Sequence, residues 1–307
     1  MARESKRAPV LLAAAVVVSL AVIVLAVWLL AGKNIAVLNS AGTIAEQERN
    51  LILLASLLSL IIVVPVFGLT FYIAWKYRAS NKKAKYEPNW DRDKRIEALW
   101  WGVPLALIAV LSVITWVTSH RLDPFKPLAS SEQPLQVQVV ALEWKWLFIY
   151  PEQNIATVNF VQFPEDRPVT FIITSDAPMN SFWIPQLGGQ IYAMSGMSTR
   201  LHLQADQPGE YHGSSANISG RGFAGMTFTA KSSTQNDFDA WVRSVQNSDG
   251  QLDKVVYGQL AAPSENNPVA YYAPVQTGLY DEVVDKFMSH SGPRGTQMPN
   301  TYRQEHH

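Results

Sequence analysis

The sequence predicts a membrane protein in which apolar helices precede an all-β sandwich, with a short helical arm after the sandwich. Three observations predict this order. Only 16% of the 307 residues are charged, against about 25% in typical soluble proteins. Long apolar runs without charge occur in the first 120 residues. From Gln136 onward, short segments instead alternate apolar and polar residues, which is typical of β-strands.

The first apolar run extends from Val10 to Gly32 and is long enough to span a bilayer, which takes about 20 residues. It follows three basic residues, Arg3, Lys6 and Arg7. This arrangement is typical of a signal sequence or a signal anchor. Leu29 and Leu30 stand where a signal peptidase prefers small side chains. Residues 1–33 are therefore predicted to form a signal sequence or, preferably, an uncleaved anchor helix.

Two further apolar runs predict a transmembrane hairpin within residues 38–120, with spans at about 51–75 and 96–117. The connecting residues 76–95 contain eight basic and three acidic side chains. Short basic loops are typically cytoplasmic. With a third span before the hairpin and the basic N-terminus inside, everything after His120 is predicted to lie on the outer face of the membrane.

Residues 134–231 predict the sandwich, because short β-branched and aromatic segments are separated by Pro and Gly. His202 and His212 fall on these strands or at their ends and are interpreted as structural. Residues 232–290 become polar and helical and contain several tyrosines, which predicts a C-terminal arm. Residues 291–307 are predicted to be a disordered tail.

Composition excludes several classes of function. The formal net charge is zero, so there is no basic surplus for nucleic-acid binding. The sequence has no cysteine, which excludes disulfides, zinc–thiolate sites and thiol catalysis.

The segment Gly213–Phe228, GSSANISGRGFAGMTF, has the spacing of a copper-binding loop of the form C-x-E-x-C-x3-H-x2-M. Copper in such loops needs soft thiolates and imidazoles. Only Met226 matches. The other positions of the frame, including that of an upstream histidine in the phrase H-S-F-W-I-P, are occupied by Asn180, Ser215, Asn217, Ser219 and Phe223. The simpler alternative is a Gly/Ser-rich loop that closes two strands.

Three further phrases accompany this loop: WKYRASN at 75–81, EWKWLFIYPE at 143–152 and QIYAM at 190–194. Together they make the chain, from about residue 38 to 288, similar to subunit II of the haem-copper respiratory oxidases, in the ubiquinol oxidase branch of cytochrome bo type. The resemblance implies a cupredoxin-like Greek-key sandwich, an aromatic-rich C-terminal arm, and copper-ligand positions that have lost their ligands.

The resemblance also implies a function: subunit II of a proton-translocating ubiquinol oxidase that reduces dioxygen to water. Haem and copper would lie in the partner subunit I, ubiquinol would be the substrate of the complex, and this chain would hold no cofactor. Its partners would be subunit I, the other oxidase subunits and the lipid bilayer, and no cytochrome c is expected. Glu97 would stand at the mouth of a proton pathway. From the residues alone, a glutamate in the first turn of a helix is favoured by the helix dipole.

Two alternatives remain at this point. One is a cytochrome c oxidase subunit II, which the missing ligands disfavour. The other is a membrane-tethered cupredoxin-like protein that binds or delivers copper.

The aromatic residues Trp144, Trp146 and Tyr150 are interpreted as a packed strand with indole N–H groups near the surface. Methionine most often serves as a packing residue, and a Cu(I) site is a weaker interpretation of Met179, Met194, Met197 and Met226.

Overall fold

The computed structural model describes residues 35–85 and 93–288. The predicted anchor at 1–33 and the predicted tail at 291–307 lie outside the described residues. The described chain divides into a helical unit and a β unit. For these residues, the predicted order of apolar helices, sandwich and helical arm is confirmed.

The helical unit consists of α1 (Thr43–Lys76) and α2 (Lys94–Arg121). Both are long and apolar enough to cross a membrane, and none of their most apolar residues is buried within the protein itself. Leu51 and Leu54 of α1 and Leu111 of α2 line one apolar cleft, so the helices lie beside each other there.

Several hydroxyl groups inside these helices bond to the carbonyl of the preceding turn. Ser56 donates a hydrogen bond to the carbonyl of Ile52 at 2.7 Å, and Ser112 donates to the carbonyl of Ile108 at 2.8 Å. A bilayer offers no other partner to such groups, so bonding to the preceding turn removes the cost of placing them in lipid.

The β unit is a sandwich of two sheets. Its strands are β1 (Leu135–Leu142), β2 (Lys145–Tyr150), β3 (Ile155–Val158), β4 (Phe160–Pro164), β5 (Val169–Ser175), β6 (Asn180–Trp183), β7 (Ile191–Ala193), β8 (Thr199–Leu203), β9 (Gly209–Ser215), β10 (Thr227–Ser233) and β11 (Ala270–Tyr272). One sheet has the order β11-β3-β2-β1-β5-β8, and the other β4-β10-β9-β6-β7. β1 pairs in parallel with β5, and β10 with β4.

The C-terminal arm contributes β11 and three helices: α3 (Gln235–Gln246), α4 (Lys254–Ala261) and α5 (Leu279–Met288). α3 begins after the N-cap Thr234, whose hydroxyl accepts a hydrogen bond from the backbone N–H of Asp237. β11 pairs with β3 and so extends the first sheet by one strand.

Two hydrophobic clusters hold this unit together. The first fills the space between the sheets and includes Trp146, Phe182 and Phe228. The second joins β1, β2 and β3 to the arm and includes Leu147 of β2 and Leu279 of α5. The arm covers the outer face of the first sheet. Strand β2 is therefore covered on both faces, and all of its residues are buried.

The short segment 41–45, at the start of α1, packs into the β unit. The N–H of Ala41 donates to the carbonyl of Gln186 at 2.8 Å, and the N–H of Asp206 donates to the carbonyl of Ala41 at 2.9 Å. Gly42 allows this close approach, because a Cβ atom there would lie 2.3 Å from the carbonyl oxygen of Gln204. Residues 41–45 thereby become part of the sandwich.

Candidate functional site

The positions of the copper frame gather where β6 begins and β9 ends. These two strands pair antiparallel, with Phe182 opposite Ser215. The register brings Asn180 and Ser215 together, and the Ser215 hydroxyl donates a hydrogen bond to Asn180 Oδ1 at 3.0 Å. Both residues are buried. Phe223 begins a single 3-10 turn, and Met226 directly precedes β10.

Two side-chain amides bond to the loop before β6, and that of Asn217 joins it to the loop after β9. Asn180 Nδ2 donates to the carbonyl of Pro178 at 2.7 Å, and Asn217 Nδ2 donates to the carbonyl of Met179 at 2.9 Å. With the Ser215 bond, these contacts form a small network that we term the amide clasp (Asn180, Ser215 and Asn217). Each such bond contributes about 1 kcal/mol net. The clasp therefore joins the two segments that the copper frame would join through metal.

Ser219 differs from the clasp residues. Within residues 35–85 and 93–288, its hydroxyl oxygen is buried and has no hydrogen-bond partner. A buried hydroxyl without a partner costs about 1–3 kcal/mol. Ser219 is therefore a position of the frame whose side chain does not take part in the clasp.

The side chains of the frame do not fit a dinuclear copper centre. Such a centre needs bridging thiolates and imidazoles, and the sequence has no cysteine. In the part of the chain that the structure describes, no group of three or more His, Cys, Asp or Glu side chains is close enough to hold a metal ion. Met226 is fully buried in the first hydrophobic cluster.

An aromatic stack lies in the core next to the clasp. Phe182 and Phe228 are stacked, with ring centroids 5.1 Å apart and planes 10° apart. Trp146 meets both rings edge-on, at 5.4 Å and 5.8 Å. The prediction that the indole N–H groups lie near the surface is wrong for Trp146, which is fully buried; among the described residues its Nε1 has no hydrogen-bond partner.

Tyr150 is fully buried as well. Its hydroxyl donates to the carbonyl of Gln162 at 2.9 Å and accepts from the N–H of the same residue at 2.8 Å. Burial raises the pKa of the Tyr150 hydroxyl far above its usual value. Tyr150 therefore joins β2 to β4 as a neutral structural residue.

Trp144 lies in the turn between β1 and β2, not on a strand as the alternation predicted. Its φ of 63° is in the left-handed region, which is uncommon for a bulky residue. The indole ring covers the copper-frame loop: a Cβ atom at Gly222 would lie 2.4 Å from it, and one at Gly220 3.3 Å. Gly220 and Gly222 thus allow the close contact of this loop with Trp144.

The connection between α4 and β11, residues 262–267, lies against the same end of the sandwich. Arg221 of the copper-frame loop donates to Glu265 at 2.7 Å. Lys145 of β2 donates through Nζ to the carbonyl of Ala262 at 2.8 Å and to the Ser264 hydroxyl at 2.6 Å. Lys145 is only 1% exposed, and burial lowers the pKa of its ammonium group. Sequence reasoning missed this role of Lys145.

Asp176, directly after β5, binds two helices of the arm. Tyr257 of α4 donates its hydroxyl to Asp176 Oδ2 at 2.8 Å, and Lys286 of α5 donates to Asp176 Oδ1 at 2.6 Å. The Asp176 side chain is 3% exposed. Burial, followed by the Asp176 carboxylate, raises the pKa of Tyr257. The arm is therefore fixed to the β5–β6 loop that also carries the clasp.

Glu97 lies in the helical unit, in the first turn of α2, and is exposed. Its N–H donates to the carbonyl of Asp93 at 2.9 Å, and Asp93 caps the helix by accepting from the N–H groups of Arg95 and Ile96. Its place in the first turn agrees with both the dipole interpretation and a role in proton uptake.

The two histidines of the sandwich lie on separate strands, β8 and β9. His202 is within hydrogen-bond distance of the Thr170 hydroxyl, with Nδ1 and Oγ1 3.1 Å apart. Burial, and to a lesser degree Arg200, lowers the pKa of His202. A neutral imidazole bonded to threonine fits the predicted structural role.

Two known protein families match parts of this chain. The family described as "Cytochrome C oxidase subunit II, periplasmic domain" matches residues 151–233, and the family described as "COX Aromatic Rich Motif" matches residues 246–291. A crystal structure of the periplasmic domain of subunit II of cytochrome oxidase (CoxB) of Bradyrhizobium japonicum matches with a TM-score of 0.36 and 17% identity, covering 38% of this chain and 96% of that one.

Relatives of similar length identify the family of this chain within that class. The chain is 52% identical over 263 residues to cytochrome bo(3) ubiquinol oxidase subunit 2 of Pseudomonas putida, covering 86% of this chain and 84% of the relative. It is 50% identical to ubiquinol oxidase subunit 2 of Acetobacter aceti, covering 84% and 85%. The domain match defines the class as oxidase subunit II proteins with a cupredoxin-like domain. Within that class, the chain belongs to the ubiquinol oxidase subunit 2 family.

Proposed function

We propose that this chain is the non-redox second subunit of a proton-translocating ubiquinol oxidase, with the haem-copper site that reduces dioxygen to water in the partner subunit I. The observation that carries the proposal is the amide clasp. Its asparagine and serine side chains occupy the frame positions that would otherwise supply copper ligands. They instead form one bond between Ser215 and Asn180 and two bonds to backbone carbonyls of the loop before β6. Ubiquinol is oxidised within the membrane, so the outer domain needs no metal relay.

No docking of a soluble cytochrome c is part of this proposal. Residues 121–307 contain 12 basic and 18 acidic side chains. A surplus of acidic charge suits a basic partner only when it forms a local field. Here the charges are scattered along the sequence, and an ordinary solvated periplasmic surface accounts for them.

The proposed placement is the bacterial inner membrane, with the sandwich on the periplasmic side. Support comes from the basic loop between α1 and α2, since such loops are typically cytoplasmic. The proposed divisions of the chain are an anchor or signal at 1–33, the hairpin at 38–120, the cupredoxin-like domain at 134–231, the arm at 232–290 and the tail at 291–307.

The main test is purification of the membrane complex through an affinity tag on this chain. We expect haem bands in the visible spectrum and oxygen uptake driven by ubiquinol but not by reduced cytochrome c. A tagged chain that emerges without haem protein would contradict the proposal and favour the copper-delivery alternative. Uptake driven by cytochrome c would favour the other oxidase class.

For Glu97 we propose a role in proton uptake at the cytoplasmic end of α2. Replacing Glu97 with Ala is expected to slow turnover severalfold while haem content stays normal, because a first-turn charge contributes only about 0.3–1 kcal/mol to the helix. The measurement is ubiquinol-driven oxygen uptake per haem. Glu132→Ala, another exposed carboxylate, is the matched control. Unchanged turnover in the Glu97 variant would leave this residue with its helix-dipole role alone.

A further inference from the structure

Five basic side chains border the loop between α1 and α2. They are Lys76, Arg78, Lys82, Lys94 and Arg95, and we term them the basic belt. In the ranges that the structure describes, none of them has a carboxylate within ion-pair distance. All except the half-buried Lys76 are exposed. Exposed cations without a neighbouring carboxylate form a surface suited to an anion.

Exposed aromatic rings occur in the helix turns next to the belt. Trp75 near the end of α1 is 48% exposed, and Trp100 and Trp101 near the start of α2 are 73% and 66% exposed. Tryptophan and tyrosine are enriched where a bilayer meets water, at the depth of the lipid headgroups. Because both helix ends adjoin the same loop, these rings place the belt at headgroup depth.

Two of the cations contact aromatic rings directly. The guanidinium carbon of Arg78 lies 4.7 Å from the centroid of the Trp75 ring. Lys76 Nζ lies 5.3 Å from the Tyr72 ring and 5.4 Å from the Tyr77 ring. Contacts of this kind stabilise a cation against an apolar surface, and the N–H groups that are not used in other bonds can donate to an anion.

The turn after α1 fixes this arrangement before any ligand arrives. Arg78 Nη1 donates to the carbonyl of Trp75 at 2.8 Å, and its Nε donates to the Ser80 hydroxyl at 3.1 Å. Asn81 Nδ2 donates to the carbonyl of Lys76 at 2.5 Å. A side chain already held in place loses less conformational entropy on binding.

The first turn of α2 also favours the binding of an anion. Lys94 and Arg95 stand at a helix N-terminus, where the dipole disfavours cations. The capping carboxylate of Asp93 is occupied by the backbone N–H groups of Arg95 and Ile96. An anion placed near this turn would meet two cations and the positive end of the dipole together.

We propose that the basic belt binds the headgroup phosphates of anionic phospholipid, with phosphatidylglycerol as the test ligand. The belt is continuous with a helix that can span a bilayer, its rings mark the headgroup depth, and its charge is opposite to that of the lipid phosphate. The inference requires that α1 and α2 cross the membrane. It does not require that the complex oxidises ubiquinol, so oxygen uptake and lipid binding are scored separately.

The experiment uses the complete membrane complex, purified through this chain and depleted of lipid in a neutral detergent. Phosphatidylglycerol and phosphatidylcholine are each titrated in, and bound lipid is counted by native mass spectrometry. A basic residue at the membrane surface changes affinity about fivefold. The double variant Arg78→Gln/Lys82→Gln is therefore expected to bind phosphatidylglycerol about 25-fold more weakly, with phosphatidylcholine unaffected.

Two further variants sharpen the result. Arg78→Lys keeps the charge but loses the planar contact with Trp75, and we expect a loss smaller than that of the double variant. Arg121→Gln/Lys126→Gln removes two basic residues at and after the other end of α2 and should leave binding unchanged. The proposal is overturned if the belt variant binds like the wild type, if both lipids weaken equally, or if the variant complex loses a partner subunit, which would mean that the belt contacts protein.

Discussion

Gly213 in β9 leaves room for the ring of Phe228, its direct partner on the neighbouring strand β10 of the same sheet. A Cβ atom at this position would lie 2.1 Å from the ring of Phe228. That ring is stacked on Phe182 and cannot withdraw without breaking the stack. The absence of a side chain at one position thus sets the packing of the aromatic core.

The variant Gly213→Ala is expected to lower the free energy of unfolding by about 1–3 kcal/mol, as overpacking of a core does. Gly258→Ala is the matched control: it lies in α4 with nothing within 4 Å of the added Cβ atom. Relief of a helical glycine should stabilise the protein by about 0.5–1 kcal/mol. Urea unfolding of the full chain in detergent gives both values, and equal stability of the two variants would contradict the packing argument.

Burial of the Tyr280 hydroxyl in α5 makes the free energy of unfolding depend on pH in the alkaline range. Its hydroxyl pairs with Ser198 at 3.0 Å, and burial raises the pKa of Tyr280 from 10.0 to about 12. Between these values the unfolded chain loses the proton and the folded chain retains it. The free energy of unfolding must then fall as pH rises from about 10 to 12.

Replacing Tyr280 with Phe is expected to reduce this fall, because phenylalanine has no proton to lose. The measurement is urea unfolding of the wild-type and variant chains at several pH values from 8 to 11.5. Other buried groups, Tyr257 and Lys145 among them, also affect the alkaline range. The difference between the two chains isolates Tyr280, and parallel curves would show that its hydroxyl titrates as in water.

At the scale of elements, the sequence predicts strands well and their surroundings less well. Alternation in a strand assumes one buried and one solvated face. β2 departs from it because the arm covers its second face, and Leu147 meets the arm as Trp146 meets the core. The turn at Trp144 was missed because nothing in the local sequence marks a tryptophan with positive φ. Such features depend on contacts between segments far apart in the chain.

Lys145 is the residue through which β2 holds the arm connection at 262–267. The variant Lys145→Met keeps the apolar stem but leaves the carbonyl of Ala262 without its donor. Loss of a buried partner should cost about 1–3 kcal/mol and free this connection. Hydrogen exchange and limited proteolysis are expected to increase in residues 262–267 but not in α3.

The matched control for Lys145 is Lys254→Met in α4. The Lys254 side chain is 74% exposed and forms an ion pair with Glu282 at 2.9 Å. Exposed pairs contribute about 0–1 kcal/mol. If hydrogen exchange and proteolysis in residues 262–267 are the same in both variants, the buried ammonium group of Lys145 is not what holds this connection.

At the scale of the whole molecule, the sandwich is a frame that holds two loops at fixed separation. β6 and β9 pair directly, so the segments bearing Asn180 and Ser215 stay together whatever their side chains are. The spacing from Ser215 to Met226 is that of a copper loop. We therefore expect that copper ligands could be restored here by changing side chains alone.

The last prediction follows from that separation of frame and side chains. Five substitutions, Asn180→His, Ser215→Cys, Asn217→Glu, Ser219→Cys and Phe223→His, should create a dinuclear copper centre in the full chain, with Met226 already present. Loss of the amide clasp removes about 1 kcal/mol per bond, and the half-buried Phe223 ring contributes further packing. Copper bound to the native state offsets such losses by mass action.

Copper uptake and electron spin resonance measure the result. The five-fold variant should hold two ions per chain and show a mixed-valence signal shared over both, and the wild-type chain should retain no stoichiometric copper after desalting, because serine and asparagine cannot replace bridging thiolates. The variant with four of the changes, lacking Ser219→Cys, controls for adventitious binding and should not form the shared signal. If the full variant folds but binds one ordinary copper ion, the loop path has diverged from the copper frame and the alignment of Ser215 and Ser219 with its cysteines is wrong.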